Sequence, residues 1–304
     1  MKTLIIDSNN LCYRALISRG AREAAGQEVA GRQKEIILSV IQGFLIQLRK
    51  LSHRYGTNRF IFTWDTKPYH RTKLFSEYKS KRASEGRAKH ERRIISPWGP
   101  PPQLKKPIFD LIQKKVLPKI GFKNIFSKEG YEADDIIASI VQTYSKHTPY
   151  GSLVVISSDK DLYQLLDYCI IYCFKKDEMT KDIFAKEYPF PPKVWPYFRA
   201  LTGDPSDSIP GVPAVGPDRA CHFLTKSMKK SGKVYNRIVS PEGKEIVRRN
   251  LKLMTLPWGG VGTFSLKKDK LSLPALLDLA NRLQFDYLLT PDKIRRWHDF
   301  FSEA

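Results

Sequence analysis

The 304-residue sequence predicts an α/β protein built on a mostly parallel sheet, and three observations carry that expectation. Short apolar runs at Thr3 to Ile6, Arg59 to Trp64, Leu153 to Ile156 and Cys169 to Phe174 suit strands buried on both faces. Segments with helical spacing of apolar residues lie between these runs. Strands also deliver acids to one edge: Asp7 and Asp65 directly, and Asp159 just past the third run. In an open α/β sheet the carboxyl ends of the strands and the helix N-termini that follow share one crevice.

Taken in order, Thr3-Leu4-Ile5-Ile6 reads as a strand ended by Asp7, followed by Ser8-Asn9-Asn10, with Arg14 one or two helical turns further on. Asp7 viewed alone suits a helix cap equally well. Ala15 to Gly31 is small and polar, which predicts a loop. Ile36 to Tyr55 places Ile37, Ile41, Phe44, Leu45, Leu48 and Leu51 on one face of a long amphipathic helix. After the second strand and Asp65, a Pro-rich break at Ser96 to Pro102 precedes a helix over Ile108 to Val116 and a short strand over Phe122 to Phe126. Glu132, Asp134 and Asp135 then open a helix whose core is Ile136 to Val141. The strand Leu153 to Ile156 leads through Asp159 and Asp161 to a short helical stretch, Leu162 to Leu166.

Beyond the fourth strand, Val194 to Thr202 predicts a helix closing on Gly203-Asp204-Pro205-Ser206-Asp207. Asp204 and Asp207 are three residues apart and share a face on a helical turn. Ser208 to Pro217 is a Gly/Pro-rich hairpin, where glycines let backbone approach a phosphate and the next helix, Asp218 to Leu224, can turn its N–H groups to it. Helices over Lys244 to Leu253, Ala275 to Leu283 and Lys293 to Phe301 complete the chain.

Charge narrows the function classes. Lys and Arg number 52 against 31 acids, a net charge of +21 and a pI near 9.7, which favours a polyanionic partner. No run of about 18 apolar residues exists, and Asp7 interrupts the first apolar run too early for a secretory signal, so no membrane partner is expected. Cys12, Cys169, Cys173 and Cys221 form no CxxC pair and have no histidines at finger spacing, which argues against structural zinc and for free thiols in a reducing cytoplasm.

The acids carry the chemistry. Two carboxylates about 4 Å apart repel by roughly 4 kcal/mol at an effective dielectric of about 20, so a cluster takes up protons or holds cations. An oxygen-only donor set favours Mg²⁺ or Mn²⁺. Each acidic group alone also reads as a helix start complemented to its dipole. From Lys67 to Arg93 ten Lys or Arg residues face three Glu, with Tyr69, Phe75 and Tyr78 among them. The order Arg71, Phe75, Tyr78, Lys79, Arg82 suits a phosphate backbone, although a basic run is also commonly a solvated face.

Six ordered blocks resemble the 5′-nuclease superfamily, which includes flap endonucleases, the 5′-nuclease domain of bacterial DNA polymerase I and phage 5′→3′ exonucleases. They are Ile6-Asp7-Ser8-Asn9-Asn10-Leu11 with Arg14; Thr63-Trp64-Asp65; Arg71 with Tyr78-Lys79 and Arg82; Glu132-Ala133-Asp134-Asp135; Ser158-Asp159-Lys160-Asp161; and Gly203 to Asp207 with Gly211 to Gly216. The resemblance covers roughly residues 3 to 225, and Leu251-Lys252-Leu253-Met254 is faintly similar to a helix of the phage members. It implies a PIN-like sheet in a catalytic domain at 1–188, with a helical arch at about 67–120. It further implies a DNA-binding helix–hairpin–helix with a C-terminal helical region at 189–304.

By the same resemblance Asp7, Asp65, Glu132 and Asp134 look like ligands of one divalent ion and Asp159, Asp161 and Asp204 of a second, with Asp135 and Asp207 in an outer layer. Lys79 and Arg82 look like arch cations on the scissile phosphate, and Arg14 like a further phosphate contact. Arg71, Tyr78, Gly211, Val212, Val215 and Gly216 fall on DNA-contacting blocks, with K⁺ often bound at the hairpin. Two departures weaken the implied grip: Ala214 stands where glycine is usual and Asp218 where Lys or Arg is usual. The implied enzyme is a monomer in a bacterial or phage-infected cytoplasm, acting on 5′ flaps, nicks, single-strand/duplex junctions or RNA–DNA hybrids in replication and repair. A catalytically inactive junction binder and a PIN-type ribonuclease are the alternatives. Intact acids at every block weigh against the first, and the hairpin and basic run against the second.

Overall fold

The computed structural model describes residues 1–16, 33–80 and 102–302. The fold class is the expected one, a mixed, mostly parallel sheet flanked by helices. The described residues divide into two compact units, one of 1–16, 33–64, 102–126 and 264–302, the other of 65–80 and 127–263.

In the first unit β1 (Thr3–Asp7) and β2 (Phe60–Trp64) pair in parallel, Leu4 opposite Phe60 through Asp7 opposite Thr63. β3 (Ile125–Ser127), most of which belongs to this unit, lies on the far side of β2. All five residues of β2 and the last four of β1 are buried, as continuous apolar runs require. The helix Ser8–Leu16 starts directly after β1, and Asn10 N–H donates to Asp7 Oδ1 over 3.0 Å. It runs past the expected loop start at Ala15 because Ala15 and Leu16 are themselves buried.

The helix Gln33–Tyr55 buries Ile36, Val40, Ile41, Phe44, Leu45, Leu48 and Leu51. The helix expected over Ile108 to Val116 instead begins at Pro102, passes through a π turn at Ile112–Val116 and ends at Ile120. Ile108, Ile112, Val116, Leu117 and Ile120 prolong one buried stripe, which explains the extension. It stops at Gly121, at φ 110°, where a Cβ would lie 1.8 Å from the Lys270 carbonyl oxygen. The C-terminal helix Pro291–Ser302 closes this core: Phe300 stacks on Phe60 at 6.0 Å, and its carbonyl accepts from Asn58 Nδ2 at 3.0 Å.

In the second unit β4 (Leu153–Ile156) and β5 (Ile170–Cys173) are parallel, and β6 (Asp177–Met179) runs antiparallel to β5. Sequence reasoning did not anticipate β6 or the helix Lys181–Glu187 after it. Asp-Glu-Met has no strand pattern of its own and is paired because the chain reverses in the turn at 174–176, which delivers Asp177, at φ 67°, opposite Cys173. The helix Ala133–Tyr144 buries Ile136, Ile137, Ile140 and Val141. Trp195 anchors the helix Trp195–Thr202 in an aromatic cluster with Tyr163, Phe184 and Phe198, at centroid distances of 5.3, 5.6 and 5.0 Å. Gly203–Asp204 then pairs with Ile209–Pro210, and the helices Pro217–Leu224, Lys233–Val239 and Pro241–Met254 follow. No helix among the described residues is long and apolar enough to cross a membrane.

Candidate active site

The second unit gathers half of the expected site residues into two nodes, the first buried and the second partly so. The first forms at the start of the helix Ala133–Tyr144, where Glu132 is buried and Asp135 fully so. Asp135 Oδ2 accepts from the Glu132 backbone N–H at 3.1 Å, which fixes the turn that presents the Glu132 carboxylate. Glu132 Oε2 accepts from the Tyr78 hydroxyl at 2.7 Å and lies 3.3 Å from Arg71 Nη1, while Lys79 Nζ pairs with Oε1. Asp207 joins from the hairpin side, 3.4 Å from the Tyr78 hydroxyl and 3.7 Å from Lys79 Nζ. Its carbonyl accepts from the Lys79 N–H at 2.8 Å. Burial alone would push Glu132 up, but the charges of Lys79 and Arg71 outweigh it and hold the carboxyl below its usual range.

Arg71 and Tyr78, expected on DNA, are interior here. Arg71 is 3% exposed, donates from both terminal nitrogens to Asp135 and from Nε to the Leu253 carbonyl at 2.9 Å, and lies 5.2 Å from the Trp258 ring. Trp258 N–H in turn donates to Asp135 Oδ1 at 2.8 Å. Tyr78 packs with Ile209, Leu253 and Met254. The segment after the hairpin, to which sequence reasoning gave no role, thus braces the first node.

The second node follows β4. Asp159 caps the 3₁₀ segment Lys160–Leu165, accepting from Asp161 N–H at 2.8 Å. Arg199 bridges the remaining two acids: Nε donates to Asp161 Oδ1 at 2.6 Å and Nη2 to Asp204 Oδ2 at 2.5 Å. Asp204 Oδ1 accepts from both the N–H and the hydroxyl of Ser206, at 2.9 and 2.7 Å. Burial first, and the Asp159 charge second, push Asp161 up to about 7. Burial acts upward on Asp204 too, but Arg199 and Ser206 prevail and hold it low. The 3₁₀ turn Pro205–Asp207 links the nodes, with Asp204 in one and Asp207 in the other.

Arg199 escaped the sequence reading. Its signal was present: it is the only charge in the helix Trp195–Thr202, five residues before Asp204.

The other expected residues stand as follows. Asp65 is exposed, and its Oδ1 accepts from the Ala133 N–H at 2.8 Å. Asp134 lies half-buried in the same first helical turn. Asp7 is buried at the end of β1, in the first unit, where Arg14 is half-buried and donates from Nε to Gln47 Oε1 at 3.3 Å. Arg82 lies outside the described residues.

At the hairpin Gly211 packs against the end of the helix Trp195–Thr202, where a Cβ would sit 2.4 Å from the Thr202 carbonyl carbon. Val212 and Val215 are buried, and Gly216 caps the helix Pro217–Leu224. Ala214 adopts φ 62°, the left-handed conformation for which glycine is suited. Arg237 and Arg219 donate to the Pro213 and Ala214 carbonyls at 3.0 and 2.7 Å.

A family model for the 5′-3′ exonuclease, N-terminal resolvase-like domain, matches residues 2–189. The chain belongs to the 5′-3′ exonuclease family. It is 26% identical over 284 residues to a thermostable DNA polymerase I of Thermus thermophilus, which spans 92% of this chain and 30% of the polymerase. It is 33% identical over 188 residues to a 5′-3′ exonuclease of Buchnera aphidicola, 61% of this chain and 58% of the relative. The chain therefore spans less than two thirds of the length of these relatives.

Among solved structures, a T5 5′-exonuclease with bound divalent zinc ions superposes with a TM-score of 0.64 at 18% identity, over 95% of this chain and 98% of the other. The catalytic core of Rad2 in complex with a DNA substrate gives 0.54 at 14%, over 100% and 93%. At these identities the likeness establishes the fold that this exonuclease family member shares. The family match takes in Asp7 through Asp161 and ends before Asp204 and Asp207.

The donor chemistry of the nodes fits divalent ions. Among the described residues no three or more His, Cys, Asp or Glu side chains stand in a geometry set for a metal. The oxygen donors instead carry the chain's own cations, Lys79 and Arg71 on Glu132 and Arg199 between Asp161 and Asp204. A pair of buried carboxylates that takes one positive charge between its oxygens can take another in the same position.

Proposed function

We propose that the chain is a structure-specific 5′-nuclease that hydrolyses phosphodiesters in DNA, as a flap endonuclease and 5′→3′ exonuclease. The observation that carries this reading is the convergence of Glu132 with Asp207, and of Asp159, Asp161 and Asp204, into two linked carboxylate nodes in a member of the 5′-3′ exonuclease family. Asp65, Glu132 and Asp134 would hold one Mg²⁺ or Mn²⁺ ion, and Asp159, Asp161 and Asp204 a second. Asp135 and Asp207 would orient these ligands, and Asp7 is proposed as a ligand on the resemblance alone.

When bound, the divalent ions supply a lowered pKa for water and charge neutralisation at the leaving 3′-oxygen. The water oxygen forms a bond to phosphorus as the bond from phosphorus to the 3′-oxygen breaks. Lys79 orients the scissile phosphate by its charge, with Arg82 and Arg14 as further phosphate contacts. The hairpin from Gly211 to Gly216 would meet the duplex through N–H groups other than those of Val212 and Val215, which bond within the fold, and K⁺ is proposed there on the resemblance alone. Bases need not be read, so junction shape and backbone charge set substrate choice and make binding strongly salt-dependent. Replication and repair, including primer removal, are the roles that such a substrate range fits.

Cleavage of a 5′-labelled flap, nick and RNA–DNA hybrid set tests the reading. Products should vanish with EDTA and with Asp159→Ala; undiminished cleavage in either case contradicts the proposal.

A further inference from the structure

Arg199 takes one oxygen each of Asp161 and Asp204, two of the carboxylates proposed to hold the second ion. Its helix is otherwise uncharged, with Trp195, Phe198, Ala200 and Leu201 buried, and Arg199 is its single guanidinium. The Arg199 side chain is 17% exposed, and its two partners, Asp161 and Asp204, are 19% and 12% exposed. Those partners come from separate segments, one after β4 and one from the Gly203–Asp204 ladder. Without a cation between them the two carboxylates repel.

We propose that Arg199 is a built-in counter-cation that holds Asp161 and Asp204 together before a divalent ion binds, and competes with that ion for the same oxygens. The inference rests on the proposed nuclease function, in which these two acids hold a divalent ion. The competition follows from the oxygens used. Asp204 Oδ1 already accepts two hydrogen bonds from Ser206, so Oδ2, which Arg199 takes, is the oxygen an incoming ion would engage. Coordination at about 2.0–2.1 Å leaves no room for a guanidinium nitrogen on the same lone pair, so Arg199 withdraws as the ion enters. The planar fork of an arginine spans two carboxylates at once, which the single ammonium of a lysine does less well. Arg199 is thus a positioning residue, which keeps the site folded when it is empty and sets the ion concentration at which it fills.

Mn²⁺ titration of the metal-free full chain, read as bound equivalents by electron paramagnetic resonance, tests this together with melting curves. Arg199→Gln should tighten the weaker Mn²⁺ equivalent by roughly tenfold. It should also lower the melting temperature without metal, with the gap to the unaltered chain closing at saturating Mn²⁺. Arg199→Lys, which keeps the charge, should recover most of the metal-free melting temperature and serves if the glutamine variant does not fold.

Unchanged or weaker Mn²⁺ affinity in folded Arg199→Gln overturns the proposal. Asp204→Asn separates the two failures. Loss of one equivalent in Asp204→Asn with no tightening in Arg199→Gln removes the role of Arg199 alone. An unchanged number of equivalents in Asp204→Asn removes the ligand assignment, and the Arg199 inference with it.

Discussion

Arg71 grips Asp135 through two parallel hydrogen bonds, Nη1 to Oδ2 at 2.6 Å and Nη2 to Oδ1 at 2.8 Å, with the arginine side chain 3% and the aspartate 0% exposed. Burial alone would lower the arginine pKa, but Asp135 reverses the effect and raises it, so the guanidinium stays charged. Asp135 also accepts from the N–H groups of Glu132 and Trp258, so one ion pair ties together the start of the acid helix, the helix Tyr69–Leu74 and the chain after Met254.

Removing one member of that pair leaves a buried charge without its partner. Arg71→Ala or Asp135→Asn should therefore destabilise the protein by about 3–5 kcal/mol, seen as a lower urea midpoint. An unfolding free energy within about 0.5 kcal/mol of the unaltered chain would mean that the pair contributes nothing net.

Tyr78→Phe removes the hydroxyl that donates to Glu132 Oε2 at 2.7 Å and lies 3.4 Å from Asp207 Oδ2. Loss of a hydrogen bond to a buried charged group should cost about 1.5–3 kcal/mol in urea unfolding. Glu132→Gln combined with Tyr78→Phe should then cost less than the sum of the two single changes, and strict additivity would deny the coupling.

The hairpin allows a stabilising change. Ala214 sits at φ 62°, where a Cβ is disfavoured by about 1–2 kcal/mol, and glycine gives back part of that gain through its looser unfolded chain. Ala214→Gly should raise stability by about 0.5–1 kcal/mol. Gly211→Ala should lower it, because its Cβ would collide with Thr202 backbone. The reverse order in thermal melts would contradict the local geometry.

The skeleton was legible in the sequence where one physical signal dominated. Continuous apolar runs located β1, β2, β4 and β5, and helical spacing located Gln33–Tyr55 and Ala133–Tyr144. The acids of the site were legible as types, because carboxylates repeated after successive strands repel one another unless cations offset them. Their partners were not. Arg71 lies in a basic run that reads as a surface, and only tertiary packing reveals that it is buried beneath Leu253 and Trp258. Arg199 was hidden inside a helix read only as the lead-in to Gly203 and Asp204. Strand β6 escaped because its pairing comes from the turn before it and from β5, and Asp177–Met179 carries no alternation of its own.

The most direct test of two-ion chemistry at these nodes is single-turnover cleavage of a 5′-flap substrate across a Mg²⁺ titration, with Glu132→Gln and Asp161→Asn beside the unaltered chain. The expected result is Mg²⁺-dependent cleavage in the unaltered chain and a loss of at least about 100-fold in each variant, with DNA binding in Ca²⁺ retained. Cleavage by both variants at the unaltered rate would contradict the claim that these two nodes hold the ions that do the chemistry.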